Sequence, residues 1–325
     1  MTLNRRLLVG LVAAAATSPF AVKRAVAQIY PLRHVRLMVG FPAGGPNDIL
    51  GRLIAAWLSE HLDQPFVVEN KGGRSGNIAT EAVVNATPDG YTLLLCGPAN
   101  AISGSLYPNL PFNFLRDIAP VAGITREALV MVVHPSVPAH SVAEFLAYAK
   151  ENPGKVTMAS TGVGSSPHVT GELFKLMAKL SLPVKHYGGG GPALKAMIEG
   201  EAQVMFEPMS ASIKPVRSGE LRALAVTTAH RSQGLPNIPV VAQTVPGFEA
   251  SAVTGLGAPV GTPRAIVNVL NQAVNAAFAN PAMKRKLLDT GGEPLPGSPE
   301  DFGRLMTAET EKWGQVVKQA GIKAD

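Results

Sequence analysis

At 325 residues, with 46% apolar and 16% charged residues, a mean hydropathy of +0.16 and one cysteine, the chain has the composition of a globular protein of about two domains, which excludes a disordered chain and a disulfide-stapled scaffold. The formal charge of +6 falls to +2 once the four cations of residues 1–27 (Arg5, Arg6, Lys23, Arg24) are set aside. The remaining lysines and arginines are scattered without interleaved aromatics, which argues against a nucleic-acid partner.

The first element in chain order is a leader. Arg5 and Arg6 precede the apolar run "LLVGLVAAAA", and Ala25-Val26-Ala27 has the small-x-small form of a cleavage site. This predicts a signal peptide over residues 1–27, export to the periplasm and a mature chain from Gln28. Arg5-Arg6 leaves the twin-arginine and general export routes both open. No other window approaches a membrane span, and Cys96 in "YTLLLC" reads as a buried, inert thiol.

Strand and helix patterns then alternate. "VRLMVGF" is a strand, residues 49–62 a helix, "PFVVEN" a strand, "IATEAVVNA" a helix and "YTLLLC" a strand. This β-α-β-α-β order predicts an α/β protein with a mostly parallel sheet covered by helices. The proline-punctuated stretch 108–128 reads as irregular. A second β-α series follows: strand "LVMVVHP", helix "SVAEFLAYAKENPG", strand "KVTMAST", a helix from Pro167, strand "PVKHY", a helix from Pro192, strand "AQVMFE", helix "SASIKPVRSG" and strand "LRALAVTT". Helices at 263–279, 281–290 and 299–320 close the chain, and they need the first sheet to cover. The expected organisation is therefore one lobe from 28–126 and 253–325, a second from 127–252, and two crossings that make a hinge, with a ligand between the lobes.

Three strand-to-helix seams are built alike. In "FPAGGPND" (41–48), Gly44 and Gly45 allow positive φ and close approach of a ligand to the backbone. In "TGVGSSPH" (161–168), Ser166 reads as the cap and Pro167 as the first helical residue, with His168 in the first turn. In "YGGGGP" (187–192), four glycines precede Pro192. Each seam leaves unpaired N–H groups and a positive dipole end at a helix start, which suits a carboxylate without any lysine or arginine. Asp48 reads as a helix cap or as half of a carboxylate pair with Glu207; Tyr187 as a stacking group or edge filler. No dinucleotide fingerprint, P-loop, G-x-S-x-G elbow or metal-ligand spacing is present, so no cofactor and no metal are expected. A hydrolase or lyase using Asp48 or Glu207 with His168 stays open beside a binding protein.

The segments "VGFPAGGPNDILGRLIAAWLSEHLDQPFVVENKGG", "ATPDGYTLLL", "GKVTMASTGVGSSPHVTGELF", "GELRALAVTTAHRSQGLPNIP" and "APVGTPRAIVNVLN" together resemble the substrate-binding proteins of tripartite tricarboxylate transporters, the Bug or TctC-like receptors. The resemblance covers nearly all of the mature chain. It implies a two-lobed, type II periplasmic-binding-protein fold that closes on a small organic acid, does no catalysis, acts as a monomer and docks on a membrane permease pair. A receptor serving a sensor system is the other role it leaves open. It further implies that Phe41, Ala43, Gly44, Gly45, Asn47 and Asp48 face Thr161, Gly164, Ser165, Ser166 and His168 around the ligand carboxylate, with Asn100, Tyr187, Gly188, Gly189 and Glu207 shaping the rest. The chain departs from the family pattern at His186-Tyr187-Gly188-Gly189, where Pro-Tyr-Lys-Gly is common, at Pro46-Asn47, and in lacking a tryptophan before "APVGTP". The missing lysine and the acidic Glu207 leave open a ligand that carries an amine or amide, or a less charged one.

Overall fold

A computed structural model describes residues 30–324; the expected signal peptide and its cleavage site lie outside the described residues. In the first half, strands β1 (Val35–Val39), β2 (Phe66–Asn70) and β3 (Thr92–Cys96) alternate with helices α1 (Pro46–His61), α2 (Asn77–Val84) and α3 (Pro98–Leu106). A short α4 (Phe114–Asp117) leads into the long strand β4 (Ile118–Val133). The second half runs α5 (Val142–Glu151), β5 (Met158–Ser160), α6 (Ser166–Ala178), β6 (Val184–His186), α7 (Gly190–Ile198), β7 (Val204–Pro208), α8 (Met209–Arg217) and β8 (Arg222–Val226). The chain returns through β9 (Ser251–Pro259) to α9 (Arg264–Ala279), α10 (Pro281–Asp289), β10 (Gly292–Pro294) and α11 (Pro299–Ala320).

The strands form two sheet halves of the same design. The first reads β2-β1-β3-β9-β4, with β10 beyond β4; the second reads β6-β5-β7-β4-β8. In each, three parallel strands lie beside one antiparallel strand supplied from elsewhere in the chain. β4 is common to both. It pairs with β9 from Ile118 to Ala128, then with β7 and β8 from Leu129 to Val133.

Period-two alternation fills both faces of each sheet half. Val35, Leu37, Val39, Leu93 and Leu95 pack under α1, α9 and α10, while Met38, Leu94 and Cys96 face α2 and α11. In the second half Leu129, Met131, Val133, Val204 and Phe206 lie under α5 and α6, while Val130, Val132, Ala159 and Met205 meet α7 and α8. Cys96 is a free, buried thiol whose pKa burial pushes far up, as its apolar run suggests. Among the described residues no helix is long and apolar enough to cross a membrane.

The structure departs from the sequence expectations in two places. Residues 118–128 are strand, not irregular: Pro120 sits at a register shift where the ladder is broken, so its missing N–H costs no regular pairing. Residues 98–106 form a helix that the apolar pattern does not announce. Gly97 caps it and Pro98 takes the first turn, where a missing N–H is harmless.

Candidate functional site

Strand direction brings the seams to one place. β4 enters the second sheet half at Leu129, opposite Pro208 at the end of β7, and leaves at Val133, opposite Val204 at its start. The carboxyl ends of β7 and of its parallel neighbours β5 and β6 therefore point at the first half. β3 runs antiparallel to β9, as β4 does, so β1, β2 and β3 end towards the second half. The turns after β1, β3, β5 and β6, and the end of β7, line the junction between lobes, where parallel strands present ligand sites.

On the first side, Gly44 holds φ +82°, while Gly45, the cap of α1, is extended at φ −80°. Positive φ is thus needed at Gly44 alone. Ala43 and Gly44 are exposed, and Gly45 and Asn47 half-exposed. Asp48 is 3% exposed and fully engaged: Oδ2 accepts from the Gly44 amide and Arg52 Nε, both at 2.9 Å, and Oδ1 accepts from Asn70 Nδ2 at 2.9 Å. Asp48 is therefore not the cap itself but lies in the first helical turn and reaches back to the turn amide. The Arg52 guanidinium and those hydrogen bonds hold its pKa down at about 2. Asn70 also donates to the Phe41 carbonyl (3.0 Å), so one network fixes both ends of the turn.

Asn47 reaches the start of α3: its Oδ1 lies 3.9 Å from the position of a Cβ on Gly97. Asn100 is buried; its Oδ1 accepts from Gly97 N (2.8 Å) and its Nδ2 donates to Thr80 Oγ1 (2.8 Å). Asn100 thus holds the Gly97 cap of α3 from the first helical turn and ties α3 to α2.

On the second side, Gly162 (φ +135°) and Gly164 (φ +70°) shape the turn, and Ser165, not Ser166, caps α6. The helix starts one residue earlier than expected because proline is tolerated anywhere in the first turn. The Gly164 amide donates to His168 Nδ1 at 3.0 Å, which leaves the proton of the neutral ring on Nε2, 3.7 Å from Glu172. Burial, with His186 and Lys175 nearby, lowers the His168 pKa to about 4, so it is uncharged at neutral pH. Its ring meets His186 edge to face at 4.6 Å, and His186 Nδ1 is hydrogen-bonded to Ser160 Oγ at 2.7 Å. The Tyr187 amide donates to Ser160 O (2.9 Å), and the Tyr187 carbonyl lies 3.8 Å from where a Cβ on Gly162 would stand, joining the second and third seams. Gly189 (φ +130°) caps α7, whose first residue, Gly190, comes two before the expected start at Pro192. Space is open around Gly188 and Gly189. Thr161 is half-exposed.

The two sides meet at Gly164, where an added Cβ would stand 2.3 Å from Leu106 Cδ2 on α3. Next to it Tyr107 OH and Ser75 Oγ share a hydrogen bond (3.1 Å). Leu106, Tyr107 and Gly97 belong to the site's frame and escape sequence reasoning; the Gly97-Pro98 pair is the signal that could have exposed α3. At these turns the buried Ser166 Oγ, Tyr187 OH and Glu207 Oε2 have no partner among the described residues. None of the segments 41–48, 97–100, 161–168 and 187–190 contains a lysine or arginine.

Replacing Asp48 with alanine leaves Arg52, Asn70 and the Gly44 amide without their common acceptor. The expected result is a lower melting temperature and a loosened turn, read as faster hydrogen exchange at Gly44. Because the folded pKa of Asp48 is lowered, its contribution is present above about pH 4 and lost as pH falls towards 2. The wild type is therefore expected to lose more stability than the variant through that window, the difference being the Asp48 contribution.

The sequence profile of the tripartite tricarboxylate transporter family receptor matches residues 50–322. The chain is 34% identical over 300 residues to Protein BugT of Bordetella pertussis, covering 91% of this chain and 92% of that one. Among solved structures, R. palustris Rpa4515 with adipate shares 38% identity at a TM-score of 0.81, over 91% of this chain and all of that one. MatC (Rpa3494) from Rhodopseudomonas palustris with bound malate shares 31% at a TM-score of 0.76, over 89% of this chain and all of that one. A two-lobed α/β fold, a shared strand between the lobes and these matches lead to one conclusion: the chain belongs to the tripartite tricarboxylate transporter receptor family of periplasmic solute-binding proteins.

Proposed function

We propose that this protein captures a small organic carboxylate between its lobes in the periplasm and hands it, as a monomer, to integral-membrane permease subunits, with no chemical step. The observation that carries the reading is the arrangement of α1, α3, α6 and α7, whose N-termini all open on the lobe junction in turns free of lysine and arginine. Each helix start offers unpaired amides and a positive dipole end worth roughly 0.3–1 kcal/mol to an anion, and up to ~2 kcal/mol when partly buried. The grip comes from the Phe41–Asp48 turn on one lobe and the Thr161–Ser166 and Tyr187–Gly189 turns on the other. The two segments of chain between lobes, at 127–129 in β4 and ahead of β9, act as the hinge. The leader of residues 1–27 supports export.

Two features weigh against turnover. The Nδ1 of His168 already accepts from the Gly164 amide, and every oxygen of Asp48 that faces the turn is occupied. Neither is a free general base.

Thermal shift of the purified mature protein against succinate, adipate, malate, citrate, benzoate and glutamate tests the reading. An acid present at a hundred times its dissociation constant adds about 2.7 kcal/mol to stability. Protein unmoved by every acid in the panel, at millimolar concentration, would refute a carboxylate receptor.

A further inference from the structure

Glu207, at the end of β7, is 3% exposed, yet its Oε2 has no hydrogen-bond partner. Its Oε1 lies 3.7 Å from the position of a Cβ on Gly190, which puts the carboxyl at the N-terminus of α7. Native proteins seldom leave a buried carboxyl oxygen unpaired, because the lost solvation is not recovered. Where they do, a partner from outside the chain is the usual remedy.

The neighbouring charges are committed elsewhere. Glu127 of β4 turns its Oε1 to α8, accepting from Ser210 N (3.0 Å) and Ser210 Oγ (2.6 Å). Arg126 of β4 pairs with Glu249. On α6, His168 faces the Gly164 amide and Glu172 holds Lys175. Lys195 of α7 pairs with Glu199, and Lys185 of β6 with Glu201. His186 of β6 is bonded to Ser160. Lys214 and Arg217 stand in the last turn of α8, at the end away from β7. Burial first, and Glu127 second, push its pKa up to about 8, so at pH 7 it carries its proton.

A protonated carboxyl is a donor as well as an acceptor. No lysine or arginine lies in the 187–190 turn beside it, so an ionised Glu207 would repel an anionic guest there, whereas the protonated form adds one more donor to the amides of α7. Resting on the carboxylate-receptor reading, we propose that Glu207 is the specificity-determining group of the site: its unpaired carboxyl donates an O–H to the second carboxylate of the guest and offers no counter-charge to an ammonium group, so the protein selects amine-free dicarboxylates over amino-dicarboxylates such as glutamate. This decides against the amine-bearing ligand that the sequence leaves open at the same position.

Calorimetric titration with adipate and with glutamate, between about pH 6.5 and 9.5, tests this on wild type and Glu207→Gln. Wild-type affinity for adipate is expected to hold up to about pH 8 and then to fall about tenfold per pH unit, since only the protonated form binds. The glutamine variant, whose amide always donates, is expected to bind adipate within about threefold of wild type at pH 7 and to show no slope above pH 8. Acids bound without that slope, a slope kept in Glu207→Gln, or glutamate bound more tightly than adipate would overturn this proposal and leave the receptor reading standing. The infrared carbonyl band of a protonated carboxyl, present in wild type at pH 7 and lost in Glu207→Gln, reads the proton without any ligand. Its absence overturns the proposal directly. The band present in a protein that binds no acid would bring down the receptor reading, and this proposal with it.

Discussion

Alanine at Gly164 is expected to weaken ligand binding by about ten- to a hundredfold. The position makes two demands. Its φ of +70° costs an L side chain roughly 1–2 kcal/mol, and that strain is present whether or not ligand is bound, so it lowers the melting temperature and leaves affinity alone. The second demand is space: a Cβ here would stand 2.3 Å from Leu106 Cδ2 on the facing helix α3. Overpacking of this kind costs about 1–3 kcal/mol, and it presses α3 away from the turn that it frames, so it is expected to appear in the dissociation constant as well as in stability. The two contributions separate in a double-mutant cycle. Leu106→Ala makes room for the methyl group without relieving the backbone. Gly164→Ala in the Leu106→Ala background should therefore lower stability still, but weaken binding by much less than it does alone. Calorimetric titration with the acid found by thermal shift gives both numbers. Equal affinity losses in the two backgrounds would mean that the Leu106 contact does not set the position of the Gly164 turn in the site.

How far such sites can be read from sequence depends on the range of the interactions that set them. The seams at 41–48, 161–168 and 187–192 are legible because glycine, serine and proline state local backbone demands, and the structure puts positive φ at Gly44, Gly162, Gly164 and Gly189. The alternating apolar runs likewise foretell β1, β3 and β7, and the C-terminal helices fall within a residue of where their periodicity puts them. What stays hidden is non-local. Pro120 argues against a strand until β9 supplies a partner with a shifted register. Asp48 reads first as a cap and second as an acid until Arg52 and Asn70 are seen to claim its oxygens. His168 resembles a base until the Gly164 amide is found on its Nδ1. Nor does any local pattern around Leu106 tell that its methyl groups lie against a glycine 58 positions later. Start points of helices slip by a residue or two for a simpler reason: a proline in the first turn is acceptable at several positions, so it marks the turn and not the residue.

Truncation of Trp313 to alanine is expected to cost about 3–5 kcal/mol, the range for deleting a large aromatic from a packed core. The helix that carries it, α11, follows the first sheet half, where Phe302 and Met306 pack near Leu94 and Cys96. Farther along, Trp313, Val316 and Val317 are buried instead with Phe145, Phe174 and Phe206 of the second half, and with Ala101, Ile102 and Leu106 of α3. The helix therefore crosses the junction as an apolar strap, and Trp313 lies at 1% exposure within it. Its Nε1 donates to Glu309 Oε2 at 2.8 Å, while Lys312 holds Oε1 of the same carboxylate at 2.6 Å. Trp313→Phe keeps most of the apolar volume but strips Glu309, itself 8% exposed, of one donor; that alone should cost about 1–3 kcal/mol. Because the strap couples two cores, urea unfolding of the wild type should follow a single transition. In Trp313→Ala the two halves lose their shared layer, and the transition should broaden or split while its total amplitude stays the same. A Trp313→Ala protein that unfolds in one sharp step, less than about 1 kcal/mol below wild type, would show that the lobes are joined by the β4 and β9 strands alone and that the buried face of α11 adds nothing to their coupling.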